Sequence, residues 1–121
     1  MATVALALGS GGARGYAHIG AIQEIEARGF EIIGVSGTSV GAMVGGLYAA
    51  EKLPQFTEWV SNLKQTDVIR LLDPSFSAPG AIKAEKVMAK VRTMLDKARI
   101  EDLRIPYTAV ATDCLLYTSD A

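Results

Sequence analysis

The chain has 121 residues, a domain's length or part of one, and its 50% hydrophobic and 21% charged content excludes disorder as the main state. Twelve basic and thirteen acidic residues leave a formal charge of −1, and with no basic run to make a local field, nucleic acid is not expected as a partner. A single cysteine, Cys114, and a single histidine, His18, exclude a disulfide framework, a cysteine-built zinc site and a multi-histidine metal centre.

The opening run Met1–Leu8 lacks the cationic flank and length of a signal peptide, and no stretch reaches the roughly 20 apolar residues of a membrane helix. A cytoplasmic chain, with at most peripheral contact to a membrane, is the expectation. Residues 3–8 form a continuous apolar run that suits a strand covered on both faces. The glycine-rich stretch 9–15 follows, then a predicted helix over 16–28 with His18, Ile22 and Ile25 on its apolar side and Ala21 beside them. Gly29 stands where a helix C-terminal glycine is wanted, and 31–35 read as a second strand. The small-residue turn 36–42 leads into a helix over 40–51, rich in Ala, Gly and Met. Pro54 opens a helix to Leu63, the segment around Asp73-Pro74 and Pro79-Gly80 reads as a loop, and 84–96 form an amphipathic helix. There Val87, Met88, Val91 and Leu95 share one side, while Lys86, Lys90 and Arg92 face water. Pro106 precedes a core strand over 107–112. Strand–turn–helix alternation of this kind predicts an α/β fold with a parallel sheet.

Both glycine turns fall at strand-to-helix junctions, where open α/β sheets place ligands. The second, Gly37-Thr38-Ser39-Val40-Gly41, fits G-x-S-x-G. A serine nucleophile stands out of a sharp strained turn, and flanking glycines remove side-chain crowding there. The first, Gly9-Ser10-Gly11-Gly12-Ala13-Arg14-Gly15, offers successive backbone N–H groups to an anion such as a tetrahedral oxyanion. A dinucleotide fingerprint fits less well. Arg14 stands at the third glycine's place, and no carboxylate ends the second strand. A P-loop lysine is absent as well.

A serine hydroxyl needs a base. His18 precedes the serine and lies on a helix, so it reads as a packed, hydrogen-bonded residue rather than as the base. Asp67, Asp73, Asp96, Asp102 and Asp113 are candidates by type, and none sits in a glycine turn.

Gly11-Gly12-Ala13-Arg14-Gly15, His18-Ile19-Gly20 and Gly37-Thr38-Ser39-Val40-Gly41-Ala42 resemble the patatin-like phospholipases, most nearly the bacterial branch related to neuropathy target esterase. The likeness continues through Leu72-Asp73-Pro74 and 109–113. It implies a truncated three-layer α/β/α fold with a mainly parallel central sheet, and a Ser–Asp dyad acyl hydrolase that needs no cofactor or metal. Ser39 would be the nucleophile, and the backbone N–H groups of Gly11, Gly12 and Ala13 the oxyanion hole. Ser10, Arg14 and Gly15 would shape the loop, and Gly37, Thr38, Val40 and Gly41 the elbow. Phospholipids, lysophospholipids or other fatty-acyl esters would be the substrates.

Two departures stand out. Ser10 replaces the leading glycine of the family's loop, and the family's Asp-Gly-Gly or Asp-Gly-Ala motif has no counterpart, since no Asp-Gly pair occurs. Residues 1–113 are therefore expected to be the N-terminal part of such a domain, inactive or nearly so without its aspartate. Residues 114–121 read as the translation of a sequencing-library transposon end and are expected to be a non-native tail. The alternative for them is an ordinary strand through Leu-Leu-Tyr-Thr. A catalytically silent binding or adaptor protein on the same fold, or a nucleotide-binding α/β domain, are the alternatives for function.

Overall fold

The computed structural model describes residues 2–63, 80–113 and 118–120. The loop expected around Asp73-Pro74, the candidates Asp67 and Asp73, and Cys114–Tyr117 lie outside them. Strand β1, Thr3–Leu8, leads through a 3-10 turn at Gly12–Tyr16 into helix α1, Ala17–Ala27. Strand β2, Glu31–Gly37, is followed by α2, Val40–Ala49, and α3, Leu53–Ser61. Helix α4, Gly80–Leu95, and a 3-10 turn at Ile100–Asp102 precede β3, Tyr107–Ala109. Strands β4, Ala111–Asp113, and β5, Thr118–Asp120, pair antiparallel as a separate ribbon.

The main sheet has the order β1-β2-β3 and is parallel throughout. Two crossovers that step the same way across a sheet lay their helices on one face. Burial agrees: Leu8, Ile32 and Val35 join Ile19, Ile22, Val44, Leu47, Phe56, Val87 and Val91 in a single core. Among the described residues the other face stays open, with Thr3, Ala5, Ala7 and Thr108 exposed and Ile33 47% exposed. Among the described residues β1 is covered on one face, where the sequence suggested cover on both. The described residues supply the sheet and one helical layer, and β1 alternates in burial along its length.

Several local expectations shift for physical reasons. The register between β1 and β2 slips between Val4 and Ala5, and Ile33 is the extra residue. Such a bulge re-aims the strand, so Ile32 and Val35 both point into the core although they are an odd number of positions apart. The predicted strand over 107–112 is split at Val110, whose N–H donates to the Gly37 carbonyl at 2.9 Å. In α1 the buried stripe is Ile19 and Ile22, with Ile25 partly buried and Ala21 exposed. Ile19, three positions before Ile22, shares its helical face and takes the buried place that the pattern gave to His18. In α4, Val87 and Val91 are buried while Met88 is exposed. Lys90, expected in water, lies over the Trp59 ring at 5.9 Å.

Helix α2 is the hub. Val44, Leu47 and Ala49 are fully shielded, and α2 touches the sheet, α1, α3 and α4. Truncating a leucine buried like Leu47 to alanine typically costs about 2–5 kcal/mol. The end of β2 and the start of α2 are therefore held by the best-packed part of the molecule.

Candidate active site

Leu8 and Gly37 are partners in the sheet, so the two glycine turns leave adjacent strand ends side by side. The Thr38 N–H donates to the Leu8 carbonyl at 3.1 Å, tying the second turn to the first. A Cβ on Gly37 would come within 2.5 Å of the Gly41 carbonyl carbon, and one on Gly41 would overlap the Leu8 carbonyl oxygen. A side chain at Gly15 would overlap Val40. Gly15, Gly37 and Gly41 thus permit backbone approaches that no Cβ allows.

Ser39 sits at the top of this turn with φ 55° and ψ −128°. A non-glycine residue in a sparsely populated conformation of this kind costs on the order of 1–3 kcal/mol, and the surrounding packing must hold it there. Serine at a helix N-cap ordinarily turns its hydroxyl back onto the N2 or N3 N–H from an extended conformation. Ser39 occupies the N-cap of α2 and makes no such bond. Its carbonyl instead accepts from Ala42 and Met43 at 2.9 and 3.2 Å. The side chain is exposed, and its hydroxyl is committed to no partner among the described residues. Thr38 beside it is exposed, and Val40 is buried against Gly15.

The first turn is arranged differently. Gly11 has φ 154° and Gly12 φ 55°. The Arg14 N–H closes the turn on the Gly11 carbonyl at 3.0 Å. The N–H groups at the start of such a turn have no partner within it, and Gly12 and Ala13 occupy that start. Ser10 and Arg14 are exposed at its edge. Nε2 of His18 lies 2.8 Å from the Gly9 carbonyl; the carbonyl accepts, so Nε2 carries the proton. That bond anchors the loop from α1.

A groove of about 320 Å³ opens beside Ser39, between α2 and α4, with Tyr107 and Leu103 along it. The sequence reading missed Met43, Gly46 and Tyr107. The Tyr107 hydroxyl donates to the Ala42 carbonyl at 2.7 Å across 65 positions of chain, and burial raises its pKa. A second concavity, lined by Ala7, Ser36, Thr38 and Val110, lies at the same strand ends. Among the candidate bases, Asp96 and Asp102 are exposed and Asp113 is partly buried on β4. No group of three or more potential metal ligands occurs among the described residues. No described helix is long and apolar enough to cross a membrane.

Residues 6–118 match the family described as patatin-like phospholipase. An uncharacterised NTE family protein of Mycobacterium tuberculosis is 57% identical over 112 residues, 93% of this chain and 31% of its own length. The human patatin-like phospholipase domain-containing protein 6 is 35% identical over 92% of the chain, and neuropathy target esterase sws of Drosophila persimilis 32% over 92%, each match covering 8% of the relative. The chain therefore spans about a third of the mycobacterial relatives and a small part of the animal ones.

Proposed function

The chain belongs to the patatin-like phospholipase family, and from that premise we propose that it carries the nucleophile and oxyanion loop of a serine acyl hydrolase acting on fatty-acyl esters of phospholipids or lysophospholipids. The observation that supports this most is Ser39 itself: an N-cap serine, strained, exposed, and not capping its helix. A serine that served only to start α2 would take the extended conformation and the cap bond.

Ser39 Oγ attacks the ester carbonyl while a carboxylate takes its proton. The carbonyl oxygen becomes an alkoxide facing the N–H groups of Gly11, Gly12 and Ala13. The carbon–oxygen bond to the alcohol then breaks, the carboxylic acid returns the proton to that leaving oxygen, and an acyl-serine remains. Water, deprotonated by the same carboxylate, adds to the acyl-serine; the bond from the carbonyl carbon to Ser39 Oγ breaks, the carboxylic acid returns the proton to Oγ, and the fatty acid leaves. One oxyanion donor of this kind is typically worth about 10²–10³ in rate.

The family resemblance implies that this carboxylate comes from an Asp-Gly motif, and no Asp-Gly pair occurs in the 121 residues. The 121 residues alone are then short of a general base, a contribution of about 10²–10⁴. Lipid esters of this class present themselves at a membrane surface, so the working protein meets that surface from one side. We read residues 1–113 as part of the catalytic domain, and the family match runs on to residue 118.

The test uses the full-length protein that carries this segment. A fluorophosphonate should label Ser39, and Ser39→Ala should abolish both labelling and turnover of long-chain p-nitrophenyl esters with the circular dichroism spectrum unchanged. Equal turnover by Ser39→Ala and the parent would refute the proposal.

A further inference from the structure

We propose that the groove between α2 and α4 is the acyl-chain slot, and that Gly46 and Met88 set the acyl length it takes. The inference rests on the reading of Ser39 as nucleophile, and it adds which ester is preferred and why.

The groove starts at the serine. Ser39, Ala42, Met43 and Gly46 all line it, at intervals of three and four residues, so they form one face of α2 leading away from the elbow. Across from them, Met88, Val91 and Leu95 repeat the same spacing on α4. Two facing helical stripes without a carboxylate or amide make a trough suited to hydrocarbon rather than to a headgroup. Arg99 is the charged residue on the groove, and its Nε is engaged at 2.9 Å by Glu101 in an exposed ion pair.

The exposed wall points the same way. Met88 is 48% exposed and Ile100 58%, large apolar side chains left bare where they border the trough. An acyl chain seated there would cover them. Methionine is well suited to such a wall, because its unbranched thioether conforms to a flexible guest.

The length follows from α2. From Ser39 to Gly46 a helix rises about 10 Å at roughly 1.5 Å per residue. An extended alkyl chain with bonds of about 1.5 Å advances roughly 1.25 Å per carbon, so about eight carbons lie between the acyl carbonyl and Gly46. At that depth the Tyr107 ring lies against α2. A Cβ on Gly46 would already stand 3.3 Å from the Tyr107 ring and hydroxyl. The hydroxyl bond to Ala42 fixes that ring in place. A larger side chain at 46 would have to push that ring or enter the trough, shortening the space left for an acyl chain.

The full-length protein should hydrolyse p-nitrophenyl esters with kcat/KM rising roughly fourfold per methylene up to about eight carbons, then levelling. Gly46→Leu should lower the octanoate-to-acetate ratio of kcat/KM at least fivefold. Because leucine at 46 presses on Tyr107, Met88→Trp serves as a second variant at an exposed position that folding does not require. It should lower the same ratio at least fivefold. Ratios within fivefold of the parent in Met88→Trp, or in a folded Gly46→Leu, overturn the assignment. Calorimetric binding of octanoate to Ser39→Ala separates this inference from the proposed reaction. Binding weakened at least fivefold by adding Met88→Trp supports the slot even if Ser39 proves dispensable for turnover. Unchanged binding refutes the slot even if Ser39 is the nucleophile.

Discussion

The two glycine turns look alike in the sequence and use glycine for different reasons. In the second turn, Gly37 and Gly41 are needed for space: neighbouring backbone occupies the places where their Cβ atoms would go. In the first, Gly11 and Gly12 are needed for angle: their φ values of 154° and 55° lie where side chains are rarely tolerated, while a Cβ at Gly11 would make only ordinary contacts of 3.5 Å or more. A turn made rigid by close packing can hold a strained serine. A turn built on permissive angles can aim several N–H groups toward one point. Nucleophile and anion cradle thus call for opposite uses of the same residue.

Substitution by alanine in the full-length protein should separate the two uses. The largest effect is expected at Gly41, where the obstacle is the backbone carbonyl of Leu8 at the end of β1, which the sheet holds in place. Gly41→Ala should cost about 3–5 kcal/mol or prevent folding, read from the urea midpoint. A cost below about 1 kcal/mol would show that the elbow relaxes easily and would undo the contrast.

Gly15 sharpens the comparison because its obstacle is a side chain. Gly15→Ala should cost about 2–3 kcal/mol by pressing on Val40. Adding Val40→Ala should return at least about 1 kcal/mol in a double-mutant cycle, since the removed methyl groups are the ones in the way. Strict additivity would mean that the cost of Gly15→Ala arises from something other than Val40. Gly11→Ala should cost about 1–2 kcal/mol through its φ, with no second-site rescue by trimming neighbours. It should also lower kcat more than Gly15→Ala does at equal stability loss, because it re-aims the N–H groups. Equal kcat effects would detach the first turn from catalysis.

How much of this was legible follows the range of the interactions. Strand β1 was read to the residue, and β2 and α2 began where expected, because glycine turns and apolar runs are local signals. The G-x-S-x-G pattern marked Ser39, yet no pattern shows that an N-cap serine declines to cap; that depends on its φ and ψ, which only the folded turn sets. The bulge at Ile33 was illegible because it belongs to a pair of strands rather than to one. The sheet face left open among the described residues was not legible for a related reason: alanines at positions 5 and 7 suit a covered face and an uncovered one equally well. The groove was hidden most deeply, since Tyr107 meets Ala42 across 65 residues and α4 reaches α2 only after the chain has turned back.

The smallest effect lies at the end of the first turn. Tyr16 stacks on Phe56 at 6.3 Å, and its hydroxyl is buried with no hydrogen-bond partner among the described residues. Burial pushes its pKa up to about 12, from 10.0. Above pH 10 the unfolded chain gives up this proton while the folded chain keeps it, so stability falls as pH rises from about 10 toward 12 and is unaffected at neutrality. Since the ring is only partly shielded, the loss should be about 1 kcal/mol rather than the full linkage value. Tyr16→Phe removes an unpaired buried hydroxyl and keeps the stacking, so at pH 7 it should be neutral or stabilising by up to about 1 kcal/mol. Its alkaline decline should be shallower than the parent's but not absent, because burial also raises the pKa of Tyr48 and Tyr107. Urea midpoints measured from pH 8 to 11 decide it: parallel curves for the two proteins would mean that the Tyr16 hydroxyl is solvated, and that the first turn is as loosely seated at its end as at its glycines.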